Sequence, residues 1–335
     1  MQTLNPNEAR FFSGSSHPEL AAGIASYLSL PLETTHIRRF SNDNLYVQMG
    51  ASMRGRAVFI VQSLTPPVSD NLLELLMMLD IAHGAGAAQC HAIIPYFSYA
   101  RSDKKDAPRI SVTARLIADL LQTAGATHVM TMTLHSPQVH GFFSIPTDPL
   151  TARHLFARYF CERGFNNAAD TIVVSPDVGR AKPAARFASM LGLASAAAFK
   201  ERLSDSRVVI GGGIDRLVRG YSRALVYDDE IATGATMLEL CRALAEQGIA
   251  EISLICTHGV FSGDALQRLS DFPAIKEIVT TDTVWIRPEK RTPKLVVLSV
   301  APVFGEAIWR NFTRQPIGDL FSFSDEGSST QAPDE

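Results

Sequence analysis

The stretch ALVYDDEIATGATMLEL (residues 224–240) contains the strand, loop and helix signals from which the fold of this chain can be inferred. Four apolar residues lead into two adjacent acids, Asp228 and Asp229, and a loop of small residues then opens an apolar segment with helical spacing. A short apolar run followed by a Gly-containing loop and a helix is typical of one half of a β-α-β unit with parallel strands.

The same alternation of strand and helix extends outward over most of the chain. AVFIVQS (57–63) precedes NLLELLMMLDIAHGAG (71–86), and CHAIIPYF (90–97) follows. The segment 57–97 also echoes 224–261, because both read strand, loop, a helix containing the letters LEL, Gly and strand. We therefore expect an α/β chain of two tandem Rossmann-like domains with parallel sheets that arose by duplication.

The composition excludes several classes of function. A formal net charge of −3 and 19% charged residues give no reason to expect nucleic-acid or membrane-surface binding. No apolar run approaches the roughly 20 residues that span a membrane, and residues 1–12 lack the features of a signal peptide. We expect a cytoplasmic protein whose four scattered cysteines are buried thiols. Residues 324–335 are polar and acidic, which predicts a disordered tail.

The loop after the two acids has the features of a phosphate-binding loop. In an open parallel sheet, ligands bind beyond the carboxyl ends of the strands. Small residues, two hydroxyls and the positive end of a helix all favour a phosphate there, whereas the acids would repel it and suit the vicinal hydroxyls of a sugar or a bridging Mg²⁺. The residues predicted for this sugar-phosphate site are Asp228, Asp229, Ala232, Thr233, Gly234, Ala235 and Thr236.

An ordinary N-capping loop with two exposed acids is the alternative for the same residues. The apolar ALVY before the acids and the TGAT after them favour the binding loop. The pattern resembles the loop of phosphoribosyltransferase-type domains, which often reads V-x-D-D-x-x-x-T-G-x-T. A sugar phosphate with free hydroxyls, such as ribose 5-phosphate, is therefore the expected ligand.

Long segments from about residue 10 to about residue 323 resemble the ribose-phosphate pyrophosphokinases, also called PRPP synthetases. The segments that carry this resemblance are FSGSSHPELAAGIASYLSLPL (12–32), RRFSNDNLYVQ (38–48), MRGRAVFIVQSLTPPVSDNLLELLMMLD (53–80), IPYFSYARSDKKDAPRISVTARLIADLLQTAGA (94–126), LHSPQVHGFFSIPTD (134–148), VVSPDVG (173–179) and THGVFSG (257–263). A simple phosphoribosyltransferase has one such domain and lacks the first half.

The resemblance implies an enzyme of nucleotide biosynthesis that transfers the β,γ-diphosphoryl group of Mg-ATP to the 1-hydroxyl of ribose 5-phosphate. The products are PRPP and AMP. It implies phosphoribosyltransferase-type domains at residues 1–150 and 151–303, with residues 304–323 packing back on the first domain. Family members assemble as dimers that build hexamers, so we expect a homo-oligomer.

The resemblance also assigns roles to individual residues. Lys200 and Arg202 correspond to the catalytic cations that neutralise charge on the transferred group. His135 and Asp177 correspond to the Mg²⁺ ligands. The ATP-binding residues implied by the resemblance are Phe40, Asn42, Asn44, Arg101, Ser102 and His135.

Several positions depart from the family pattern. Ala232 stands where an acid is usual, and Arg180 stands where Gly is usual, so that it either adds a cation for pyrophosphate or crowds the loop. Phosphate is the expected activator, but Asp319 replaces a hydroxyl in a segment linked to phosphate and ADP regulation, which predicts weakened regulation. The alternatives are a catalytically weak regulatory subunit and an enzyme acting on another sugar phosphate.

Overall fold

The computed structural model describes residues 3–198, 200–204, 207–210 and 214–321, which form two compact units. Among the described residues, the first unit contains 3–151, Thr283–Trp285 and 299–321. The second unit contains Ala152–Asp282 and Ile286–Leu298. Residues 283–285 and 299–303 thus belong to the first unit, although the sequence places them in the second domain. The predicted tail at residues 324–335 lies outside the described residues.

The elements of the first unit are numbered in chain order. Its strands are β1 (Ala9–Ser13), β2 (Leu32–Glu33), β3 (Thr35–Arg39), β4 (Leu45–Met49), β5 (Ala57–Val61), β6 (Gln89–Ile94), β7 (His128–Met132) and β8 (Thr147–Leu150). Its first three helices are α1 (Pro18–Tyr27), α2 (Val68–Gly84) and α3 (Thr113–Thr123). The last helix of the chain, α9 (Ala301–Phe312), also belongs to it.

The first unit contains a six-stranded sheet with the order β2-β1-β5-β6-β7-β8, in which all neighbouring strands are parallel. Every residue of β5, with the sequence AVFIV, is buried. Parallel strands are covered on both faces, so they read as continuous apolar runs and not as an alternation of apolar and polar residues. The strands β3 and β4 form a separate antiparallel hairpin that packs against α2.

The second unit repeats this arrangement. Its strands are β9 (Thr171–Ser175), β10 (Ala194–Ala197), β11 (Lys200–Ser204), β12 (Arg207–Ile210), β13 (Arg223–Ile231), β14 (Glu251–Gly259), β15 (Ile275–Thr281) and β16 (Leu295–Leu298). Its helices are α4 (Arg153–Glu162), α5 (Ala181–Leu191), α6 (Ile214–Leu217), α7 (Ala235–Glu246) and α8 (Ala265–Ser270).

The second sheet has the order β10-β9-β13-β14-β15-β16 and is also parallel throughout. When only the sheet strands are counted, both units have the order 2-1-3-4-5-6, and each inserts an antiparallel hairpin between the second and third strands. The predicted α/β class with two tandem parallel-sheet domains is therefore confirmed.

The prediction of four buried thiols is wrong for one cysteine. Cys90, Cys241 and Cys256 are buried, whereas Cys161 is exposed. The buried face of α4 includes Phe156, Ala157 and Phe160, and Cys161 lies beside that face near the end of the helix. Within the described ranges, no helix combines the length and the apolar character that a membrane span requires.

Candidate active site

The acid pair of the second unit lies on β13 beyond the point where its neighbour β9 stops pairing. The strand β9 pairs with β13 from Arg223 to Val226, whereas β13 continues beside β14 as far as Ile231. Asp228 and Asp229 therefore lie within the strand and not at its tip, but they have passed the last pair with β9. This places them at the carboxyl edge of the sheet, where α/β sheets bind their ligands.

Asp228 and Asp229 form a buried charge cluster with Arg180, and they are not the exposed acids of a simple capping loop. Arg180 Nε lies 2.9 Å from Asp229 Oδ1 and 3.8 Å from Asp228 Oδ1. The backbone N–H of Asp229 donates to Asp228 Oδ1 at 2.8 Å. Burial and the neighbouring Asp229 carboxyl raise the pKa of Asp228 well above that of an ordinary aspartate, and the charge of Arg180 opposes this rise.

The loop after β13 is held by its carbonyl groups. Each carbonyl of residues 231–233 accepts a hydrogen bond from the segment 261–268. The pairs are Ile231 O with Phe261 N at 3.0 Å, Ala232 O with Ser262 N at 2.9 Å, and Thr233 O with Arg268 Nη2 at 2.9 Å. The C=O of a trans peptide and the N–H that follows it point in opposite directions. The N–H groups of residues 232–234 therefore point away from that segment.

Gly234 makes the transition from this loop to α7. Its φ of +72° lies in the left-handed region, and a Cβ added there would lie 3.1 Å from Leu269 Cδ1. Helix α7 begins at the next residue, Ala235, so Thr236 lies in its first turn. The loop therefore brings backbone N–H groups, the hydroxyl of Thr233 and a helix N-terminus into one short segment, which suits a phosphate.

Arg268 is a site residue that the sequence reasoning missed. Besides its bond to the Thr233 carbonyl, its Nε lies 2.9 Å from Asp264 Oδ1. The only sequence signal was an acid four residues earlier, which indicates an ordinary helical ion pair. The contact with the loop joins residues 35 positions apart, and a local pattern cannot reveal it.

Asp177, the predicted metal ligand of the second unit, organises the loop after β9. Its backbone is extended, and its Oδ1 accepts the N–H of Arg180 at 3.1 Å. The hydroxyl of Ser175 donates to the Asp177 carbonyl at 2.9 Å. These bonds fix the short 3-10 helix Val178–Arg180 and direct the Arg180 side chain towards the acid pair.

The corresponding edge of the first sheet contains an internal carboxylate. Glu74 of α2 is 3% exposed and accepts hydrogen bonds from Ser15 N at 2.5 Å, Ser15 Oγ at 2.7 Å and Gln62 Nε2 at 2.8 Å. Ser15 follows β1 and Gln62 follows β5, which are the counterparts of β9 and β13. Glu74 therefore already takes the Ser15 donors that a bound anion would need at this position.

Three predicted ATP-binding residues lie at the tip of the β3–β4 hairpin. Phe40 is 47% exposed, and its ring meets that of Tyr46 edge-on at 5.5 Å between centroids. The guanidinium of Arg38 lies 5.3 Å from the Phe40 centroid. Asn42 Oδ1 accepts the N–H of Asn44 at 3.3 Å, which closes the turn. The hairpin therefore presents an exposed aromatic ring beside amide groups.

The other predicted ATP-binding residues follow two adjacent strands of the first sheet. Arg101 ends a short 3-10 helix after β6, Ser102 follows it, and His135 follows β7. Gln138 Nε2 donates to Asp103 Oδ2 at 2.7 Å and so joins the two loops. The structure thus brings these loops together at one edge of the sheet, as parallel strands in neighbouring positions require.

The predicted catalytic residues lie in the β11–β12 hairpin. The backbone of Lys200 pairs with Ile210 and that of Arg202 with Val208. The side chains of Lys200 and Arg202 lie outside what the structure describes. Asp319, predicted to weaken phosphate regulation, lies 2.6 Å from Arg310 Nη1 of α9, so its carboxylate has a cationic partner within its own unit.

Two family descriptions match the chain. The N-terminal domain of ribose phosphate pyrophosphokinase matches residues 9–125. The phosphoribosyl synthetase-associated domain matches residues 217–322. The first match covers the first unit from β1 to α3. The second match includes the acid pair and the loop after it.

Curated relatives match over nearly their whole length. A Streptomyces coelicolor protein with the provisional name ribose-phosphate pyrophosphokinase is 50% identical over 92% of this chain and 96% of its own. The ribose-phosphate pyrophosphokinase of Caldanaerobacter subterraneus subsp. tengcongensis is 42% identical over 94% of this chain and 98% of its own. The crystal structure of phosphoribosylpyrophosphate synthetase from Mycobacterium smegmatis matches with a TM-score of 0.83 and 36% identity, over 92% of this chain and 99% of that chain.

Proposed function

The chain belongs to the ribose-phosphate pyrophosphokinase family, and we propose that it transfers the β,γ-diphosphoryl group of ATP to the 1-hydroxyl of ribose 5-phosphate. The products are PRPP and AMP. The observation that carries this proposal is the pairing of a buried acid cluster with a Gly loop that opens α7 at the carboxyl edge of the second sheet. Carboxylates can accept hydrogen bonds from sugar hydroxyls, and the neighbouring N–H groups can donate to a phosphate. The two together therefore suit a sugar phosphate.

The loop after β13 binds the 5-phosphate in this proposal. The N–H groups of residues 232–234 and the hydroxyls of Thr233 and Thr236 donate to the phosphate oxygens, and the N-terminus of α7 adds favourable potential. The acid pair Asp228–Asp229 lies on the side of the sugar hydroxyls in this proposal and offers them a carboxylate acceptor. Their repulsion of the phosphate keeps the two ends of the sugar in a fixed orientation, since only one placement satisfies both groups.

The nucleotide is assigned to the loops of the first unit. Phe40, Asn42 and Asn44 are proposed to hold the adenine that a neighbouring copy of the chain binds. Phe40 offers a ring face or edge to the base, while Asn42 and Asn44 offer both donors and acceptors to its polar edge. Arg101 supplies a cation to the phosphates, and Ser102 supplies a hydroxyl donor. His135 completes the predicted set on the neighbouring loop.

Asp177 fits a metal that also takes phosphate oxygens, because Mg²⁺ is commonly held by one or two carboxylates together with substrate phosphates and waters. His135 is proposed as a ligand on its sequence position alone. In the part of the chain that the structure describes, no cluster of three or more His, Cys, Asp or Glu side chains is arranged to hold a metal ion. When bound, the metal would neutralise phosphate charge.

Lys200 and Arg202 are proposed to stabilise the transferred group on the evidence of their sequence positions. Phosphoryl transfer depends mainly on positioning and on charge stabilisation. Two cations on one hairpin provide the charge stabilisation. The proposal extends to a dimer-based homo-oligomer, to a cytoplasmic location and to phosphate as an activator that acts weakly.

A catalytically weak regulatory subunit is the second candidate, favoured by two observations. Arg180 pairs with an acid that the proposed reaction uses, and Ala232 stands in the loop where relatives of this type usually have an acid.

The deciding experiment measures AMP and PRPP formed from ATP, ribose 5-phosphate and Mg²⁺. We expect turnover by the wild-type chain and a loss of about a hundredfold or more in Lys200→Ala, since a positioned cation contributes on that scale. Lys276→Ala, at an exposed lysine of β15, is the matched control and should retain wild-type turnover. No turnover by the wild-type chain, with or without phosphate, would favour the regulatory subunit or another sugar phosphate.

A further inference from the structure

Arg180 holds one acid of the sugar-phosphate site more closely than the other. Its Nε lies 2.9 Å from Asp229 Oδ1, a hydrogen-bonding distance, but 3.8 Å from Asp228 Oδ1. The side chains of Arg180 and Asp229 are 12% and 5% exposed, so this contact is shielded from water. A charge-assisted hydrogen bond in such surroundings is stronger and more persistent than a surface ion pair.

The two acids are therefore not equivalent. The carboxylate of Asp229 has Arg180 as its counter-ion and is nearly inaccessible. The Asp228 side chain is 14% exposed, which makes it the more accessible of the two. Its Oδ1 accepts the backbone N–H of Asp229 at 2.8 Å, and its carboxyl also shares a hydrogen bond with the Asp229 carboxyl. A ligand hydroxyl that approaches from the loop side meets Asp228 as the more available acceptor.

This difference affects specificity, because discrimination against a ligand that lacks a hydroxyl depends on which protein groups then lose a hydrogen-bond partner. A site that rejects an analogue lacking one hydroxyl does so because a buried polar group of the protein then loses its partner. A carboxylate with a permanent cationic partner does not lose its partner when that hydroxyl is missing. The penalty for binding the analogue falls accordingly.

We propose that Arg180 is a specificity-determining residue of the sugar-phosphate site, because it retains Asp229 as its counter-ion and leaves Asp228 to receive the sugar hydroxyls. The site then discriminates weakly between ribose 5-phosphate and 2-deoxyribose 5-phosphate. This inference rests on the proposed function, since it takes residues 228–236 as the sugar-phosphate site.

The test is calorimetric titration of the full chain with ribose 5-phosphate and with 2-deoxyribose 5-phosphate. For the wild-type chain we expect the two Kd values to differ by about threefold or less. In Arg180→Gln, Asp229 loses its counter-ion and becomes an acceptor for the sugar, so the ratio of the two Kd values should rise to about tenfold or more. Arg158→Gln, at an exposed arginine of α4, removes the same charge elsewhere and should keep the wild-type ratio.

A second pair of variants keeps the inference testable if Arg180→Gln does not fold. Asp228→Asn should weaken ribose 5-phosphate binding by about tenfold or more, and Asp229→Asn should weaken it clearly less. Two results would overturn the inference alone, provided that the wild-type chain binds ribose 5-phosphate. One is an equal loss of binding in these two variants, and the other is a Kd ratio that Arg180→Gln leaves unchanged. Failure of the wild-type chain to bind either sugar phosphate would overturn the proposed function together with it.

Discussion

A chain of polar side chains lies inside the first sheet at its amino edge. His91 Nδ1 lies 3.0 Å from His128 Nδ1, and His128 Nε2 lies 2.8 Å from Asp148 Oδ2. Two facing Nδ1 atoms can share only one proton, so one of the two rings must accept through a lone pair and the two rings cannot both be protonated. The ring of Phe59 stacks on His91 at 4.4 Å between centroids. Burial of this ring disfavours a charge on His91.

The stability of the protein should therefore depend on pH through His91. Burial, followed by the charge of His128, lowers the pKa of His91 from 6.5 to about 3. An unfolded chain takes up this proton near pH 6.5, and the folded chain does so only near pH 3. The stabilisation is therefore complete above pH 6.5 and is lost as the pH falls, at about 1.4 kcal/mol per pH unit.

Urea unfolding between pH 7 and pH 5 tests this expectation. His91→Asn keeps a hydrogen-bonding group near the Nδ1 position but cannot titrate, so its free energy of unfolding should fall less steeply with decreasing pH. His36→Asn, at an exposed histidine of the β3–β4 hairpin, should retain the wild-type slope. Identical slopes for His91→Asn and the wild type would show that another group controls the acid sensitivity.

At the scale of elements, α9 closes the first unit by crossing α1 at a glycine. A Cβ on Gly305 would lie 2.4 Å from Cδ1 of the Tyr27 ring, so the helices approach more closely than any other residue allows. The hydroxyl of Tyr27 donates to Glu306 Oε2 at 2.8 Å, and Arg310 Nε lies 2.7 Å from Glu306 Oε1. Burial and this carboxylate raise the pKa of Tyr27 to about 12.

Gly305→Ala should therefore destabilise the protein, although alanine is the better helix former. Overpacking of this kind costs about 1–3 kcal/mol, which outweighs a gain in helix propensity of about 1 kcal/mol. Gly84→Ala in α2 is the matched control, because the added Cβ would meet no atom within 4 Å beyond its chain neighbours and its own helix backbone, and it should leave stability unchanged or slightly raised. Urea midpoints of both variants decide this, and an unchanged midpoint for Gly305→Ala would show that Tyr27 moves aside at little cost.

At the scale of the whole molecule, the chain builds the first unit from separated segments. Residues 299–321 return to it after the second unit is complete. The backbone N–H of Thr151 donates to Leu320 O at 3.0 Å, and Leu150 forms an antiparallel bridge with Phe321. The returning segment thus covers α1 and the edge strand β8, two surfaces that would otherwise expose apolar groups and unpaired backbone.

The two units should consequently differ in their ability to fold as fragments. Residues 152–298 contain a complete six-stranded sheet with its own apolar core, so this fragment should unfold cooperatively on heating. Residues 1–151 lack α9, so they should bind a hydrophobic dye and unfold without a sharp transition until residues 299–321 are joined to them by a linker. A sharp transition for residues 1–151 alone would contradict this account. Circular dichroism melts and dye fluorescence provide both readouts.

The sequence alone determined the class of fold, the order of its elements and the family. Apolar runs such as AVFIV and the strand–loop–helix pattern of residues 224–240 are local signals, and hydrogen bonding within a helix or between neighbouring strands follows from them. The site assignments for the loop at 228–236, for Asp177 and for Lys200 were also drawn from local motifs, and they remain predictions.

Only the tertiary structure decided which distant residues meet. Arg180 reaches an acid 49 positions later, Arg268 holds the carbonyl of a residue 35 positions earlier, and Glu74 lies against Ser15. Tertiary packing also decided that Thr283–Trp285 belongs to the first unit. Such contacts depend on how sheet edges and helix ends come together in space, and the periodicity of a strand or helix carries no information about that. The sequence motif at residues 224–240 therefore locates the acid pair, but the fold decides which of the two acids pairs with Arg180.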